Sequence, residues 1–418
     1  MPARPAAEVL IVGAGPVGLL LANLLGRAGV PTLILEKRTV RGTPGAGSRA
    51  IGITPTSLQI MAELGLEERF REQGVQVRRT AVYSDAGLLA RVEIPFILSL
   101  PQAVTESLLL ESLDRWPAVQ LLTGRQVVEV REGGGVVAVK SEGVRETYEA
   151  RVACACDGSS SPLAVKLGVR RRVRRYPVAF RMADYTDSSG LGEEARLYFT
   201  HQGSVESFPL PGGQRRWIVQ AERAEGVEPS YDEVEAAVAA RTGLCLDPRE
   251  RVWASSFRPE RSVLERFRAG RVVFCGDAAH TMAPIGGQGM NTGFADAHLL
   301  ARVLERWLLE GAELEPLLAV YERYRRVAFG AASRRSRLFM GVGTLRAPGL
   351  RTLRNLLARA LARPPFLKLL AGHFTMRNVP YSTLAAVEAR ESRLQLDAGA
   401  QPDKSPRRQA RARSARMR

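Results

Sequence analysis

The chain has 418 residues, 45% hydrophobic and 25% charged, a balance that buries a large core and excludes a fibrous or wholly disordered protein. Its 60 Lys and Arg against 43 Asp and Glu give a formal net charge of +17, yet only five of the 60 are lysine, a bias that reflects GC-rich coding more than function. Four cysteines (Cys154, Cys156, Cys245, Cys275) form neither a CxxC pair nor a disulfide framework, which points to reduced thiols in the cytoplasm, and no run of 18 apolar residues suggests a membrane span.

The first element is a buried parallel strand, Val9–Val12, short and uniformly apolar. Gly13 allows a tight turn, Gly15 lets the backbone approach a pyrophosphate, and Gly18 lets the following helix pack closely on the strand. Pro16 and Val17 open that helix, where a missing N–H costs nothing, and Leu19, Leu20, Leu24 and Leu25 supply its buried face. A second strand, Thr32–Leu35, ends at Glu36, placed to accept hydrogen bonds from an adenosine ribose, with Lys37 beside it. An acid here disfavours a 2′-phosphate and leaves FAD or NAD as the ligand of this turn. The interruptions by glycine and proline also argue against reading Val9–Leu25 as a signal peptide.

Further on, Ala179–Met182, Ala195–Phe199, Ser204–Phe208 and Arg216–Gln220 read as short strands separated by glycine turns, followed by a helix over Tyr231–Arg241. In that sheet Tyr198 and His201 are candidates for acid–base work on a substrate, and Trp217 and Phe208 are candidates to line an apolar pocket, with core packing the alternative. Arg271–Cys275 is another apolar strand with Asp277 just past its end, where a carboxylate can meet the ribityl hydroxyls of a flavin. Gly286, Gly287 and Gly289, with Gln288 and Met290 among them, let the backbone pass close to a flat ring. Asn291 then opens a helix through Phe294, Ala297, Leu300 and Ala301, whose N-terminus favours negative charge. His280 reads as a structural hydrogen-bonding residue. Leu350–Arg363 is a basic amphipathic helix; packing over the domains is its expected role and a weak membrane-surface contact the alternative. The arginine-rich end from Lys404 has no apolar period and reads as a disordered tail.

Gly276-Asp277-Ala-Ala-His280 through Gly289-Met290-Asn291-Thr-Gly-Phe-Ala-Asp296, Cys156-Asp157-Gly158, Ser48-Arg49-Ala50 and Gln102-Ala-Val-Thr-Glu106 together resemble the motifs of the class A flavoprotein aromatic hydroxylases, of the para-hydroxybenzoate and phenol hydroxylase type, over roughly residues 8–330. The resemblance implies an α/β fold: a Rossmann-like FAD-binding domain (1–175 and 259–330), an inserted antiparallel-sheet substrate domain (176–258), a helical C-terminal region (331–396) and the basic tail (397–418). It implies FAD as cofactor, touched by Arg49 and Gln102, with Asp157 and Gly158 serving FAD and the reductant, NADH or NADPH. It implies a monooxygenase that hydroxylates a phenolic or polyketide-like aromatic with O2 through a flavin C4a-hydroperoxide, with Pro284 beside the reacting flavin atom. Where the family carries two arginines after the middle Asp-Gly, this chain has Ser160 and Pro162–Ala164, which leaves the choice of reductant open. Arg38 and Arg41 are candidates to substitute as phosphate contacts, with solvated arginines the equal alternative. Other uses of the same chain are a membrane-surface quinone-pathway hydroxylase, a flavin-dependent reductase or a halogenase. The last lacks the early lysine and tryptophan-rich motif it would need. No metal-ligand cluster stands out, no specific nucleic-acid site is expected, and the protein is expected to be a monomer or homodimer.

Overall fold

A computed structural model describes residues 7–39, 50–133, 136–141, 147–221, 228–283, 287–345 and 348–361. β1 (Val9–Val12) is buried along its whole length. α1 (Pro16–Arg27) follows after three residues, with Pro16 at its first turn, and β2 (Thr32–Leu35) returns parallel to β1. Uniform apolarity dictates this arrangement: a strand with no polar alternation must be covered on both faces, and a parallel sheet with helices against it does so.

The chain then leaves this layer through β3 (Gly52–Ile53), α2 (Pro55–Glu63) and α3 (Glu67–Gln73) to a long hairpin, β4 (Val75–Ser84) and β5 (Gly87–Ser99). It comes back through α4 (Gln102–Ser112), tied to α1 by the buried Asn23, whose Nδ2 donates to Leu109 O at 2.8 Å. β6 (Val119–Leu122) extends the parallel sheet beyond β2; β7 (Val127–Gly133), β8 (Val136–Ser141) and β9 (Thr147–Ala150) form an antiparallel meander; β10 (Val152–Ala155) takes the other side of β1.

After α5 (Pro162–Lys166) and β11 (Arg171–Arg175) come β12 (Phe180–Thr186), β13 (Ala195–Thr200), β14 (Gly203–Leu210), β15 (Gln214–Gln220), α6 (Tyr231–Thr242) and β16 (Arg251–Phe257). β17 (Glu260–Leu264), β18 (Arg268–Ala269), β19 (Val272–Phe274) and β20 (His280–Thr281) lead into α7 (Gln288–Leu308), α8 (Leu314–Gly343) and α9 (Pro348–Leu361). The six-stranded sheet has the order β18-β19-β10-β1-β2-β6, and the eight-stranded sheet β16-β12-β15-β14-β13-β4-β5-β3. β11, β17 and β20 make a small third sheet between them.

Three features differ from the sequence reading. The eight-stranded sheet recruits β3, β4 and β5 from well before residue 175, because β13 pairs parallel with β4. α8 runs unbroken across the boundary expected at 330, anchored there by the buried Arg325 and Phe329. Among the described side chains of α9, Arg354 is buried, its Nη2 donating to Phe199 O at 2.9 Å, while Leu350, Leu353 and Leu356 are 54%, 52% and 59% exposed. Of the described leucines on that helix, Leu350 and Leu353 border the cavity rather than the core. The remainder of the expected helical region, from 362, and the basic tail lie outside the described residues.

Candidate active site

The β1–α1 turn closes tightly. Gly13 has φ +103°, and a Cβ there would strike the carbonyl oxygen of Cys156 at the end of β10. A Cβ at Gly18 would strike the Gly13 carbonyl, so the helix sits against the turn at backbone distance. Around Gly15, at the N-terminus of α1, the space is open.

Glu36, at the end of β2, is fastened to this turn. Its Oε2 accepts from Ala14 N at 2.6 Å, and its Oε1 accepts from Arg38 N and Nε at 2.9 and 3.0 Å. Burial raises its pKa, but the backbone and guanidinium donors of Arg38 and the Ala14 amide more than offset that, and the carboxyl sits below its ordinary value. Arg38 also donates to Glu106 Oε2 at 3.1 Å and to Ala14 O at 2.9 Å, and Gln102 Nε2 donates to Glu106 Oε1 at 2.9 Å. One hydrogen-bonded chain thus runs from α4 to the glycine turn, with Arg38 as its hub.

The middle motif sits where β10 ends. Asp157 Oδ2 accepts from Leu163 N at 3.1 Å, while its Oδ1 is buried with no partner. Desolvation raises this carboxyl's pKa, against the Leu163 amide, the Ser161 hydroxyl and the nearby Arg171. Asp277, in the turn after β19, is walled in by protein yet open to the cavity; desolvation raises its pKa, opposed by His280 and Arg171. Arg171 on β11 joins the two loops. Its guanidinium donates to the carbonyls of Asp277 and Ala278 and to Ser262 Oγ, and it lies close enough to both carboxylates to act on them. Sequence reading missed Arg171, because nothing distinguishes it within the run Arg170–Arg172. It supplies a cation near the middle motif, where the expected arginines are absent.

At the start of α7, Asn291 is committed to the protein. Its Oδ1 accepts from Thr54 N at 2.9 Å and Ser57 Oγ at 2.7 Å, and its Nδ2 donates to Gly52 O at 2.8 Å and Gly287 O at 2.7 Å. The helix N-terminus is thereby held against β3 and α2. Below it, the buried Asp296 accepts from Gly276 N, His280 Nε2 and Arg325 Nε, so His280 is structural, as expected.

A single cavity of about 1640 Å³ joins these parts. Gly13, Gly15, Pro16, Val17, Glu36, Lys37, Gln102, Asp157, Gly158, Asp277, Gly287, Gly289, Met290 and Asn291 line it. Gly18 and Gln288 are buried just behind the wall, and Arg49, Pro284 and Gly286, like Arg41, lie outside the described residues. Beyond Asp277 the cavity continues under the eight-stranded sheet, whose contribution is almost wholly apolar: Val82, Phe180, Met182, Leu197, Phe199, Phe208 and Ile218 among them.

Strand alternation decides which of the other candidates reach it. Phe208 does. Tyr198 and Trp217 point to the opposite face, in a cluster with Val205, Val219 and helix α6, where Tyr198 stacks on Tyr83 at 4.9 Å. His201 sits in the exposed turn after β13, its Nδ1 2.8 Å from Asp85 Oδ1. Neither Tyr198 nor His201 lines the cavity, so neither stands where it could touch a substrate held there.

The residues fit FAD. The open space at Gly15, the unpartnered Asp157 Oδ1, and the helix N-terminus beside Gly287 and Gly289 are complementary to pyrophosphate, hydroxyl groups and a ring edge, and all border one cavity. Among the described residues no cluster of His, Cys, Asp or Glu is arranged to hold a metal, and no helix is long and apolar enough to cross a membrane.

The comparisons with known proteins agree with this fit. Rifampicin monooxygenase from Streptomyces venezuelae is 34% identical over 324 residues, covering 73% of this chain and 66% of that protein. The 6-methylpretetramide 4-monooxygenase of Streptomyces rimosus is 30% identical over 333 residues, covering 76% of this chain and 59% of that protein. The chain thus spans about two thirds or less of the length of these relatives. The crystal structure of p-nitrophenol 4-monooxygenase from Pseudomonas putida DLL-E4 superposes with a TM-score of 0.79 at 22% identity, covering 89% of this chain and 99% of that one, which shows a shared fold. The sequence model of the FAD binding domain family matches residues 6–336, and the chain belongs to that family.

Proposed function

We propose that this protein is an FAD-dependent monooxygenase that hydroxylates an aromatic substrate, phenolic or polyketide-like, with O2 and NADH or NADPH. The observation that carries the reading is the continuity of the cavity from Glu36, past Asp157 and Asp277, to the apolar floor of the eight-stranded sheet. When bound, FAD supplies the redox chemistry of oxygen activation. The chain does the rest. The α1 N-terminus and the Arg38 hub would hold the nucleotide end, Asp157 and Asp277 would border the middle with Arg171 bracing the Asp277 loop from behind, and the α7 N-terminus would favour negative charge on the ring. The hydrocarbon floor orients a flat ring and excludes water. Arg49, Pro284 and Gly286 belong to the same proposal as cofactor contacts, as do a cytoplasmic location and a monomeric or homodimeric state.

The test is oxidation of NADH and NADPH by the FAD-loaded protein across a panel of phenols, naphthols and anthraquinones. Stimulated oxidation with a product heavier by one oxygen atom supports the reading. Oxidation that no aromatic stimulates, with hydrogen peroxide as the sole product, overturns it in favour of an oxidase or reductase. A second reading, action at a membrane surface, is favoured by the exposed Leu356 on α9, next to Leu350 and Leu353 at the cavity border. Sedimentation with anionic vesicles that is lost in L353E/L356E supports it, and equal recovery in the supernatant with and without vesicles rejects it.

A further inference from the structure

Among the described residues, the sheet that floors the cavity contributes one carboxyl group to it. Glu206, on β14, lies opposite Leu197 of β13 and Ile218 of β15. The same row continues through Met182 on one side and Val82 and Ala90 on the other. All six line the cavity, and only Glu206 is polar. Its side chain is buried at 7% exposure, and among the described residues no donor or cation partners it.

The charged groups around it are accounted for. On the same sheet face, Arg216 and Asp184 are closed in a bidentate pair at 2.7 and 2.7 Å. Arg258 beyond β16, Arg334 and Arg337 on α8 and Arg354 on α9 border the cavity without forming an ion pair to Glu206. Burial alone acts on its carboxyl and pushes the pKa up to about 7. A carboxyl with no partner in an apolar floor is costly, and such a group marks a place where a partner arrives from outside.

We propose that Glu206 is the substrate-binding carboxyl of this site, selecting neutral aromatic rings that carry a hydroxyl group and acting as base toward that hydroxyl. The inference rests on the aromatic-monooxygenase reading above. In its ionised form Glu206 accepts the hydrogen bond of the ring hydroxyl. As the ring is attacked, the ring O–H bond breaks, an O–H bond forms on the Glu206 carboxyl, and the electron pair stays on the ring oxygen. The ring becomes more electron-rich at the carbons ortho and para to that oxygen. The proton leaves to solvent when product departs. A ring carboxylate set directly against Glu206 is disfavoured, because like charges would then share that apolar spot.

The test is equilibrium dialysis of the FAD-loaded protein against 2-naphthol and against naphthalene, which differ by the hydroxyl alone, as a function of pH. Wild type is expected to prefer 2-naphthol, with the preference growing as pH rises through about 7. E206L is expected to weaken 2-naphthol binding roughly 10- to 100-fold while leaving naphthalene binding unchanged or tighter. E206Q keeps a neutral acceptor, so part of the preference should survive and its pH dependence should vanish. A 2-naphthol preference that persists in E206L, or a pH profile that E206Q does not flatten, overturns the role of Glu206 and leaves the monooxygenase reading standing. Wild type that takes up FAD and binds neither ring overturns both.

Discussion

His280 Nε2 lies 2.7 Å from Asp296 Oδ2, with both side chains essentially out of reach of solvent, and the same carboxylate oxygen accepts from Gly276 N at 3.1 Å. Asp296 Oδ1 accepts from Arg325 Nε at 2.5 Å. One carboxylate on α7 therefore fixes the turn that presents Asp277, the strand carrying His280 and helix α8. Burial raises the pKa of Asp296, but His280 and Arg325 outweigh it and hold the group below its ordinary value.

Asp296→Ala should destabilise the protein by about 3–5 kcal/mol, because buried Arg325, His280 and Gly276 N all lose the carboxylate they share. Urea unfolding of the FAD-free protein measures the loss. A difference under about 1 kcal/mol would show that the three partners find other acceptors.

Gly13→Ala should abolish retention of flavin. The new methyl group meets the Cys156 carbonyl, and φ of +103° is strained for any L side chain, so the turn must shift away from the site. Bound flavin per chain after gel filtration is the measurement, with circular dichroism to verify folding. Stoichiometric flavin in a folded variant would contradict the geometry.

Arg171→Met should weaken FAD binding roughly tenfold and cost about 1–3 kcal/mol of stability, since the carbonyls of Asp277 and Ala278 lose their donor and two carboxylates lose a neighbouring cation. Titration of the FAD-free protein with FAD reads the first effect and denaturant unfolding the second. Unchanged affinity would make Arg171 a surface residue in effect.

Glu206 predicts an unusual pH dependence of stability. Its folded pKa of about 7 lies above the ordinary glutamate value of 4.5, so the folded state binds the extra proton between those values. Stability from this group is present in full below the unfolded pKa and falls as pH rises through 7, by up to about 3 kcal/mol. Wild type compared with E206Q in urea at pH 5 and pH 8 tests it: the variant should lose less stability between the two. Parallel curves would place Glu206 in contact with water.

Much of the fold was legible in the chain itself. The bounds of β1 and β2 match their apolar runs, Val9–Val12 and Thr32–Leu35, because a strand buried on both faces has no polar interruptions to obscure its ends. The glycine turn and Glu36 were equally readable, since few residue types suit a backbone that must pass that close to its neighbours. β4 and β5 were not: their alternation is broken by Arg78, Arg79 and Glu93, and β13, which pairs with β4, is more than a hundred residues away from it.

Which face of a strand looks into the cavity is a property of register, and a shift of one residue reverses it. Composition favoured Tyr198 and Trp217, yet the pairing of β13, β14 and β15 turned Leu197, Glu206 and Ile218 inward. Arg171 and Glu206 carried no local signal. A guanidinium between two distant loops and a lone carboxyl in a hydrocarbon floor acquire their chemistry from neighbours remote in sequence, because charge, burial and access depend on three-dimensional surroundings. The chain by itself determined the cofactor cradle; tertiary packing alone decided what lies across from it.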